Sequence, residues 1–576
     1  MRLQVIESKN AKSFYVVKST YINKKRSSKV IEKLGTYDSL LNKLNGEDPF
    51  EWAEKYVKQL TQADKELKRD VLIKYSPSKQ IPANEQRSYN GGYLFLQKIY
   101  YALHLHSICE KISQKYKFSF DLNSILSRLI YGRIIFPSSK LATYELSKRF
   151  IEQPKFEIQH VYRSLEVIAN ESDFIQSELY NNSLQVCDRK KGILYYDCTN
   201  YFFEIEQEEG LKQYGLCKQH QPNPIVQMGL FIDGGGIPLA FCIGKGNENE
   251  QLTLKPLEER IISDFKHSRF IVCTDAGLSS TANRKFNNVG DRAFITTQSI
   301  KKLKKHIKEW ALGKDGWQLG NPQNAEEKKR VFNLEELNEK ENFEQIFFKE
   351  RWINEDDLEQ RMIVTFSLKY KNYHQQIRSR QIERAERLID SNPSKIKKSH
   401  ANDYKRLIAK DHCTKDGEIA SKEILSINTD LIDQEATYDG FYAVCTNLED
   451  TADSIIDVNR GRWEIEESFR ILKTEFKARP VYLKRDDRIA AHFTTCFIAL
   501  MIYRIFEKKL GEKYTCHEMI SCLRDMNFLE IEGEGYIPTY TRTDFTDALH
   551  DAYGFRTDYE IVNLRQMKNI FKETKK

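Results

Sequence analysis

Asn459-Arg-Gly-Arg-Trp-Glu-Ile-Glu-Glu-Ser-Phe-Arg-Ile-Leu-Lys473, running on to Phe476, decides how this chain is read. Laid out at about 100° per residue, it makes one helix whose buried stripe is Ile465, Phe469, Leu472 and Phe476. Beside the stripe runs a second row, Arg462, Glu466, Arg470 and Lys473, with Asn459 one turn earlier. Glu464 and Glu467 fall outside both rows and read as solvent-side charges. Glu466 is therefore expected at the border of the core, among three cations. That row fits either i,i+4 ion pairs on an exposed helix or a site that gathers charge for chemistry.

Two aspartates upstream favour a site. Asp197 closes the run Ile193-Leu-Tyr-Tyr196, and Asp275 closes Phe270-Ile-Val-Cys-Thr274. Both are short apolar, β-rich runs that end in an acid, the pattern of buried strands delivering a carboxylate at their C-terminal ends. Ligands collect at such ends in open α/β sheets. Two strand-end aspartates and one helix glutamate suit two divalent cations about 3.5–4 Å apart, as used for phosphodiester chemistry. Hard oxygen donors point to Mg2+ or Mn2+. Asp233 also ends a strand, but the glycines of Asp233-Gly-Gly-Gly236 give it a turn role.

On these residues the chain resembles a bacterial insertion-sequence transposase of the DDE class, within the IS-four superfamily. The signature of that superfamily is Tyr, two residues, Arg, three residues, Glu, six residues, Lys. Arg462, Glu466 and Lys473 match it, while Asn459 stands at the Tyr position. Trp463 follows the signature Arg, as in relatives that manipulate a flipped base near the cleaved end. The resemblance spans roughly 191–510. It implies an α/β fold with a ribonuclease-H-like mixed-sheet core, in which the first and fourth strands are neighbours and Asp197 lies beside Asp275. It also implies catalytic, metal-holding roles for Asp197, Asp275 and Glu466, with two Mg2+ (or Mn2+) ions. Arg462, Trp463, Arg470 and Lys473 are then DNA-binding residues. The implied partners are double-stranded DNA, both transposon ends and target, and a second copy of the chain in a homodimer.

Composition sets looser bounds. The chain has 576 residues, enough for several domains. Its 90 Lys and Arg against 83 acids give a mild +7, so local rather than bulk charge must mark any nucleic-acid surface. Eleven cysteines without a Cys-x-x-Cys pair suit a reduced cytosolic compartment, here bacterial cytoplasm. Cys516, His517 and Cys522 are close in sequence but lack a fourth ligand at zinc-like spacing. The N-terminus carries charges throughout, with no signal-peptide pattern. The most apolar long stretch, Phe493 to Ile502, is too short to span a bilayer and reads as a buried helix, so no membrane partner is expected.

In chain order, residues 1–75 read as a basic β-hairpin followed by a helix (Glu51 to about Leu72). Phe14–Val17 and Lys29–Leu34 are the strands and Asn23-Lys-Lys-Arg-Ser-Ser28 the tip. The hairpin is either a DNA contact or an edge ribbon kept soluble by lysines. A linker precedes residues 93–185, which are helical. There Leu122–Ile134 and Lys140–Phe150 flank the break Phe136-Pro-Ser-Ser139, with Arg128, Arg133, Lys140, Lys148 and Arg149 around it. This is either a helix-turn-helix-like end-binding module or a helical hairpin with solvated charges.

Residues 191–300 form the first part of the catalytic core, ordered strand, strand, strand, helix, strand, helix, strand. Asp275 and Glu466 lie 191 residues apart (466 − 275), so residues 301–438 are expected to be an inserted, mainly β domain. It includes a basic helix from Tyr373 to Asp390 and the Lys395-Lys397-Lys398 cluster. Residues 439–510 complete the core, and 511–576 form a C-terminal region suited to dimerisation. The function implied is a DNA transposase that cuts its element's ends and joins their 3′-hydroxyls to target DNA. The alternatives are a metal-dependent nuclease of the same fold and a non-catalytic DNA-binding derivative.

Overall fold

The computed structural model describes residues 1–8, 11–22, 25–44, 47–67, 69–73, 75–218, 221–391, 403–413 and 419–576. Its contacts divide the chain into two compact units. The smaller unit comprises Met1–Ser88 with Phe528–Thr539 and Thr557–Ile570, so parts of the C-terminal region group with the N-terminus. Its sheet has three strands rather than the expected two: β1 (Arg2–Ser8), β2 (Ala11–Ile22) and β3 (Lys25–Thr36), all antiparallel. The extra strand comes from the first eight residues, where Leu3 and Val5 help cover Phe14. Two helices follow, α1 (Tyr37–Lys43), capped by Thr36, and α2 (Pro49–Leu67). The expected basic tip falls on residues 23–28, of which Asn23 and Lys24 lie outside the described residues.

The larger unit begins with six helices: α3 (Tyr93–Ala102), α4 (Leu105–Lys115), α5 (Leu122–Ile135), α6 (Lys140–Ser147), α7 (Ile158–Asn170) and α8 (Ser172–Val186). Asp121 and Ser139 cap α5 and α6 by accepting from backbone N–H groups three residues on. The bend between them lies where the sequence puts it, but its charges are not all solvated. Arg133 and Lys140 are buried, at 5% and 6% exposure, and Arg128 donates to the Glu152 carbonyl at 2.8 Å.

Next come β4 (Ile193–Phe202), β5 (Ile225–Asp233), β6 (Pro238–Lys245), α9 (Leu254–Asp264), β7 (Ile271–Thr274), α10 (Thr281–Phe286) and β8 (Ala293–Thr297). This is the element order expected from the sequence. β4 with β5 and β5 with β6 are antiparallel, while β4 with β7 and β7 with β8 are parallel. At the β5–β6 turn, Gly236 has φ +78°, where a side chain would be strained. Asp233 fixes that turn by accepting from the Gly235 and Ile237 N–H groups and pairing, fully buried, with Arg189 at 2.7 Å.

Residues 301–438 do not form a sheet of their own alone. After α11 (Lys305–Leu312), strands β9 (Gln318–Leu319), β10 (Phe347–Glu355) and β11 (Leu358–Phe366) join the core sheet. They are followed by the 24-residue α12 (Leu368–Ser391), which contains the expected basic helix, and by the hairpin of β12 (Ile408–Cys413) and β13 (Ile419–Ile427). The Lys395-Lys397-Lys398 cluster lies outside the described residues. Strand β14 (Phe441–Thr446) bridges β11 and β8, giving a nine-stranded order β9-β10-β11-β14-β8-β7-β4-β5-β6. The insertion extends the sheet because the apolar Met362, Val364, Ala443 and Cys445 bury with Trp317 and Phe347 as one cluster. Burying such side chains contributes about 1.5–3 kcal/mol each.

Helices α13 (Ala452–Arg460), α14 (Trp463–Arg470), α15 (Asp486–Lys509), α16 (Cys516–Asp525) and α17 (Asp544–Tyr553) follow in the same unit. Helix α15 is long and apolar enough to cross a membrane, yet 94% of its most apolar window is buried inside the protein. It packs against α3, α5, α7 and β6, which explains a helix apolar on every side.

Glu258 on α9 is fully buried and accepts from Asn287 Nδ2 at 2.9 and 3.0 Å, and burial pushes its carboxyl up to about 8. The folded state therefore holds a proton that the unfolded chain, titrating near 4.5, has lost. Stability is expected to fall as pH rises from about 4.5 to about 8 and then to level off. Melting curves of Glu258→Gln across that range should show this component of the pH dependence removed.

Candidate active site

Strand pairing brings the two aspartates toward one another. β4 and β7 pair in parallel with Ile193 opposite Ile271, Leu194 opposite Val272 and Tyr195 opposite Cys273. The ladder ends there, two residues short of both aspartates, and Asp275 is near enough for its charge to act on Asp197. Along β4, side chains alternate between faces. Leu194, Tyr196 and Cys198 enter the core with α9, so Tyr195, Asp197, Thr199 and Tyr201 share the opposite face.

That face meets the signature segment. The segment is not one helix, as expected, but two, broken at Gly461-Arg462, and a π-helical turn, Ile471–Glu475, follows the second. At the break the segment comes very close to β4. A Cβ on Gly461 would sit 2.0 Å from the Tyr195 hydroxyl, which donates to the Val458 carbonyl at 2.9 Å. Only glycine lets the segment lie this close to β4. Ile465, Phe469, Leu472 and Phe476 are buried, as the periodicity indicates.

The polar row divides. Lys473 Nζ donates to Thr199 Oγ1, two residues past Asp197, and lies over the Tyr201 ring at 5.6 Å. Burial, helped by Arg479 and Lys218, pushes Lys473 down to about 8. Arg462 Nη1 donates to Thr297 Oγ1 at 2.9 Å at the end of β8. Arg470 is committed to Glu467 and is exposed, so it does not join them. Glu466 is exposed, on the same helix face as Arg462.

Glu464 is not a solvent-side charge. It pairs with Arg504, which is 2% exposed and also donates to the Gly236 carbonyl at 3.1 Å and to Glu507 at 2.6 Å. Helical periodicity missed this because the partner arrives from α15, 40 residues later.

Asp197 accepts from the Cys198 N–H at 2.7 Å, and Asp275 accepts from Gly277 and Leu278 at 2.9 and 3.0 Å. Burial first, and repulsion from Asp275 second among the raising effects, lift Asp197 to about 6 against the pull of Lys218 and Arg462. A carboxylate lifted in this way beside a second one is a site a divalent cation would relieve. The oxygens of Asp197, Asp275 and Glu466 do not all lie within 4.8 Å of one another, so they do not form a single-ion cage.

Sequence reasoning missed Lys218 and Tyr442. Lys218 donates to the Cys198 carbonyl at 2.6 Å and pairs with Glu250 at 3.3 Å, placing a cation beside Asp197. It lies in the loop before β5, where no periodicity marks it. Tyr442, on β14, takes a hydrogen bond from Asn459 Nδ2 at 3.2 Å and shares one with Thr297 Oγ1 at 2.6 Å. A tyrosine hydroxyl thus stands next to Asn459, and through Thr297 it helps fix Arg462. Trp463 is 58% exposed and, with Tyr370, Tyr373, Tyr442 and Glu466, lines a cavity of about 810 Å³. Burial pushes the Cys516 thiol up to about 12 and Cys522 to about 11, so both stay protonated.

A sheet that delivers paired aspartates to a glutamate-bearing helix defines a class, and the sequence comparison names it. The family described as Transposase DDE domain matches residues 202–502, more than half of the 576-residue chain. The chain belongs to that family, whose members are metal-dependent enzymes that cut and transfer DNA. The match includes Asp275 and Glu466 and begins five residues after Asp197 (202 − 197). No curated protein sequence matches the chain significantly. Among solved structures, a piggyBac transposase synaptic complex with hairpin DNA is similar at 8% identity and a TM-score of 0.36. That likeness covers 77% of this chain and 82% of the other, and is too weak to bear on fold or function.

The two neighbouring glutamates should separate cleanly in melting experiments. Glu464→Ala leaves the buried Arg504 short of one carboxylate and should destabilise by about 1–3 kcal/mol. Glu466→Ala removes an exposed group and should melt within about 0.5 kcal/mol of the wild type. Equal destabilisation by both would show that Glu466 is a structural ion-pair residue.

Proposed function

We propose that this chain is a bacterial DNA transposase of the IS-four superfamily that cleaves the ends of its own element and joins their 3′-hydroxyls to target DNA. The observation that supports this reading is the parallel ladder of β4 with β7, which leads toward Asp197 and Asp275, with Lys473 reaching Thr199 and Arg462 reaching Thr297 beside it. The strand order β6-β5-β4-β7-β8, with only the last three parallel, supports a ribonuclease-H-like core.

Asp197, Asp275 and Glu466 would hold two Mg2+ or Mn2+ ions, since all three offer hard oxygen donors. When bound, such ions supply an activated water and neutralise charge at a scissile phosphate. The exposed position of Glu466 suits a pair of ions better than one, because two ions span a wider gap. Arg462, oriented by Thr297 and Tyr442, and Lys473, oriented by Thr199, would neutralise phosphate oxygens on either side of the aspartates. Trp463, with Tyr370 and Tyr373, offers faces for a displaced base. Arg470, bound to Glu467, would add only general positive charge. Double-stranded DNA in the bacterial cytoplasm is the substrate, and a homodimer would pair two ends.

Asp197→Ala, Asp275→Ala and Glu466→Ala should each abolish Mg2+-dependent cleavage of DNA carrying the element's ends, while end binding persists. Cleavage by folded Glu466→Ala at the wild-type rate would sink the assignment. Strand-transfer products separate a transposase from a nuclease of the same fold, which would cut without joining. Failure of the wild type to cut in any divalent metal would favour a non-catalytic derivative.

Arg462→Ala and Lys473→Ala should each flatten the log–log salt dependence of duplex binding by roughly 0.9, one released counterion per lost phosphate contact. A lowered melting temperature with an unchanged slope would instead make these side chains braces for Thr297 and Thr199.

A further inference from the structure

A second cavity, of about 310 Å³, opens at the Phe136–Ser139 bend, lined by Arg133, Lys140, Lys477, Arg479, Tyr162 and His492 among others. Its charges are one-sided: four cations line it, and no carboxylate does among the described residues. Arg133 is accounted for structurally. It donates to the carbonyls of Phe476 at 3.0 Å and Ser138 at 3.2 Å, tying the bend to the end of the signature segment.

Lys140 and Arg479 are different. Lys140 is 6% exposed and lines the cavity, with no hydrogen bond or ion pair among the described residues. Arg479 Nη1 is buried with no partner. Removing an ammonium from water without a counter-charge is costly, so buried cations are ordinarily paired. Burial and the neighbouring Arg133 push Lys140 down to about 7, and burial also lowers Arg479. His492 adds no charge, because burial, Arg133 and Lys140 hold its imidazole well below its usual range. Lys140 is also the first residue of the eight-residue α6, whose first-turn N–H groups lack intrahelical acceptors and favour an anion.

We propose that this cavity is a phosphate-binding site in which Lys140 and Arg479 hold the anionic oxygens of a phosphate group. An anion there supplies the missing counter-charge for both cations. Arg479 is close enough to Lys473 to be the leading charge that depresses it, and Lys473 reaches Thr199 beside Asp197. The cavity therefore continues a line of cations leading away from the aspartates, which makes a DNA backbone phosphodiester the source favoured over a free phosphate. Only that choice of source rests on the DNA-processing reading.

The test uses the full chain, with Lys140→Met, Arg479→Met and, as a control, Lys329→Met at an exposed lysine elsewhere. In one arm, melting temperature is measured in inorganic phosphate against chloride at matched ionic strength. Phosphate should raise the melting temperature of the wild type and Lys329→Met but not of the two cavity variants. In chloride, Lys140→Met should melt at or above the wild type, since an unpaired buried charge is gone. In the second arm, binding to a mixed-sequence duplex is measured against salt. There Lys140→Met should flatten the log–log slope by roughly 0.9 while the control keeps it. A flattened slope assigns the site to DNA backbone, and a phosphate response alone assigns it to a free phosphate group. Neither response, in a wild type that binds duplex, overturns the site. A wild type with no salt-dependent duplex binding fails the DNA reading instead, and the phosphate arm still decides the site.

Discussion

The parallel pairing of β4 with β7 is the constraint on which the site depends. A parallel ladder fixes residues by register, and one residue's slip would turn Asp197 from the signature face into the apolar core with Tyr196 and Cys198. The register is held from both faces: Leu194 and Tyr196 pack beneath, and Tyr195 bonds to the Val458 carbonyl above. The same tyrosine requires glycine at 461, and the segment after it carries Arg462 to Thr297 and Lys473 to Thr199, on different strands. One contact between strand and helix thus seats the cation-bearing segment against β4.

This dependence shows what the sequence makes legible. Buried stripes and strand ends are local patterns, so the Ile465–Phe476 stripe, the strand that ends just before Asp275 and the turn role of Asp233 were readable directly; Asp197, expected at a strand end, instead lies within β4, which runs on to Phe202. Adjacency of β4 and β7 came from resemblance, because no periodicity encodes which strands pair. Side-chain partners were least legible. Periodicity placed Glu464 in solvent, whereas Arg504 reaches it from α15, and it grouped Arg470 with the site, whereas Glu467 binds it one turn away. Lys218 and Tyr442 carried no signal because each approaches from a loop or strand remote in sequence. Residues 301–438 were expected to hold an inserted, mainly β domain, and three of their strands extend the core sheet: a β-strand edge pairs with whatever apolar strand the chain brings alongside.

Charge, too, is informative locally rather than in bulk. A net +7 over 576 residues is unremarkable, and largely buried cations of the larger unit are paired with acids, as Arg378 with Asp439 and Arg406 with Glu435. Some cations of the larger unit are instead desolvated and carry no ion pair among the described residues. Lys473 is held down to about 8 and Lys140 to about 7, in each case by burial first and by another cation second. Desolvated like charges raise the free energy of the protein alone and lower it when an anion arrives, so they favour binding a polyanion more than holding the fold. Asp197, lifted to about 6 by burial and by Asp275, is the same argument with the sign reversed: a carboxylate pair poised for cations. A fold that places unpaired acids beside unpaired bases without letting them neutralise one another keeps both available, the acids for metal and the bases for phosphate. The rigid sheet maintains that separation, since Asp197 is fixed by its strand register while Lys473 is held by Thr199 two residues further along.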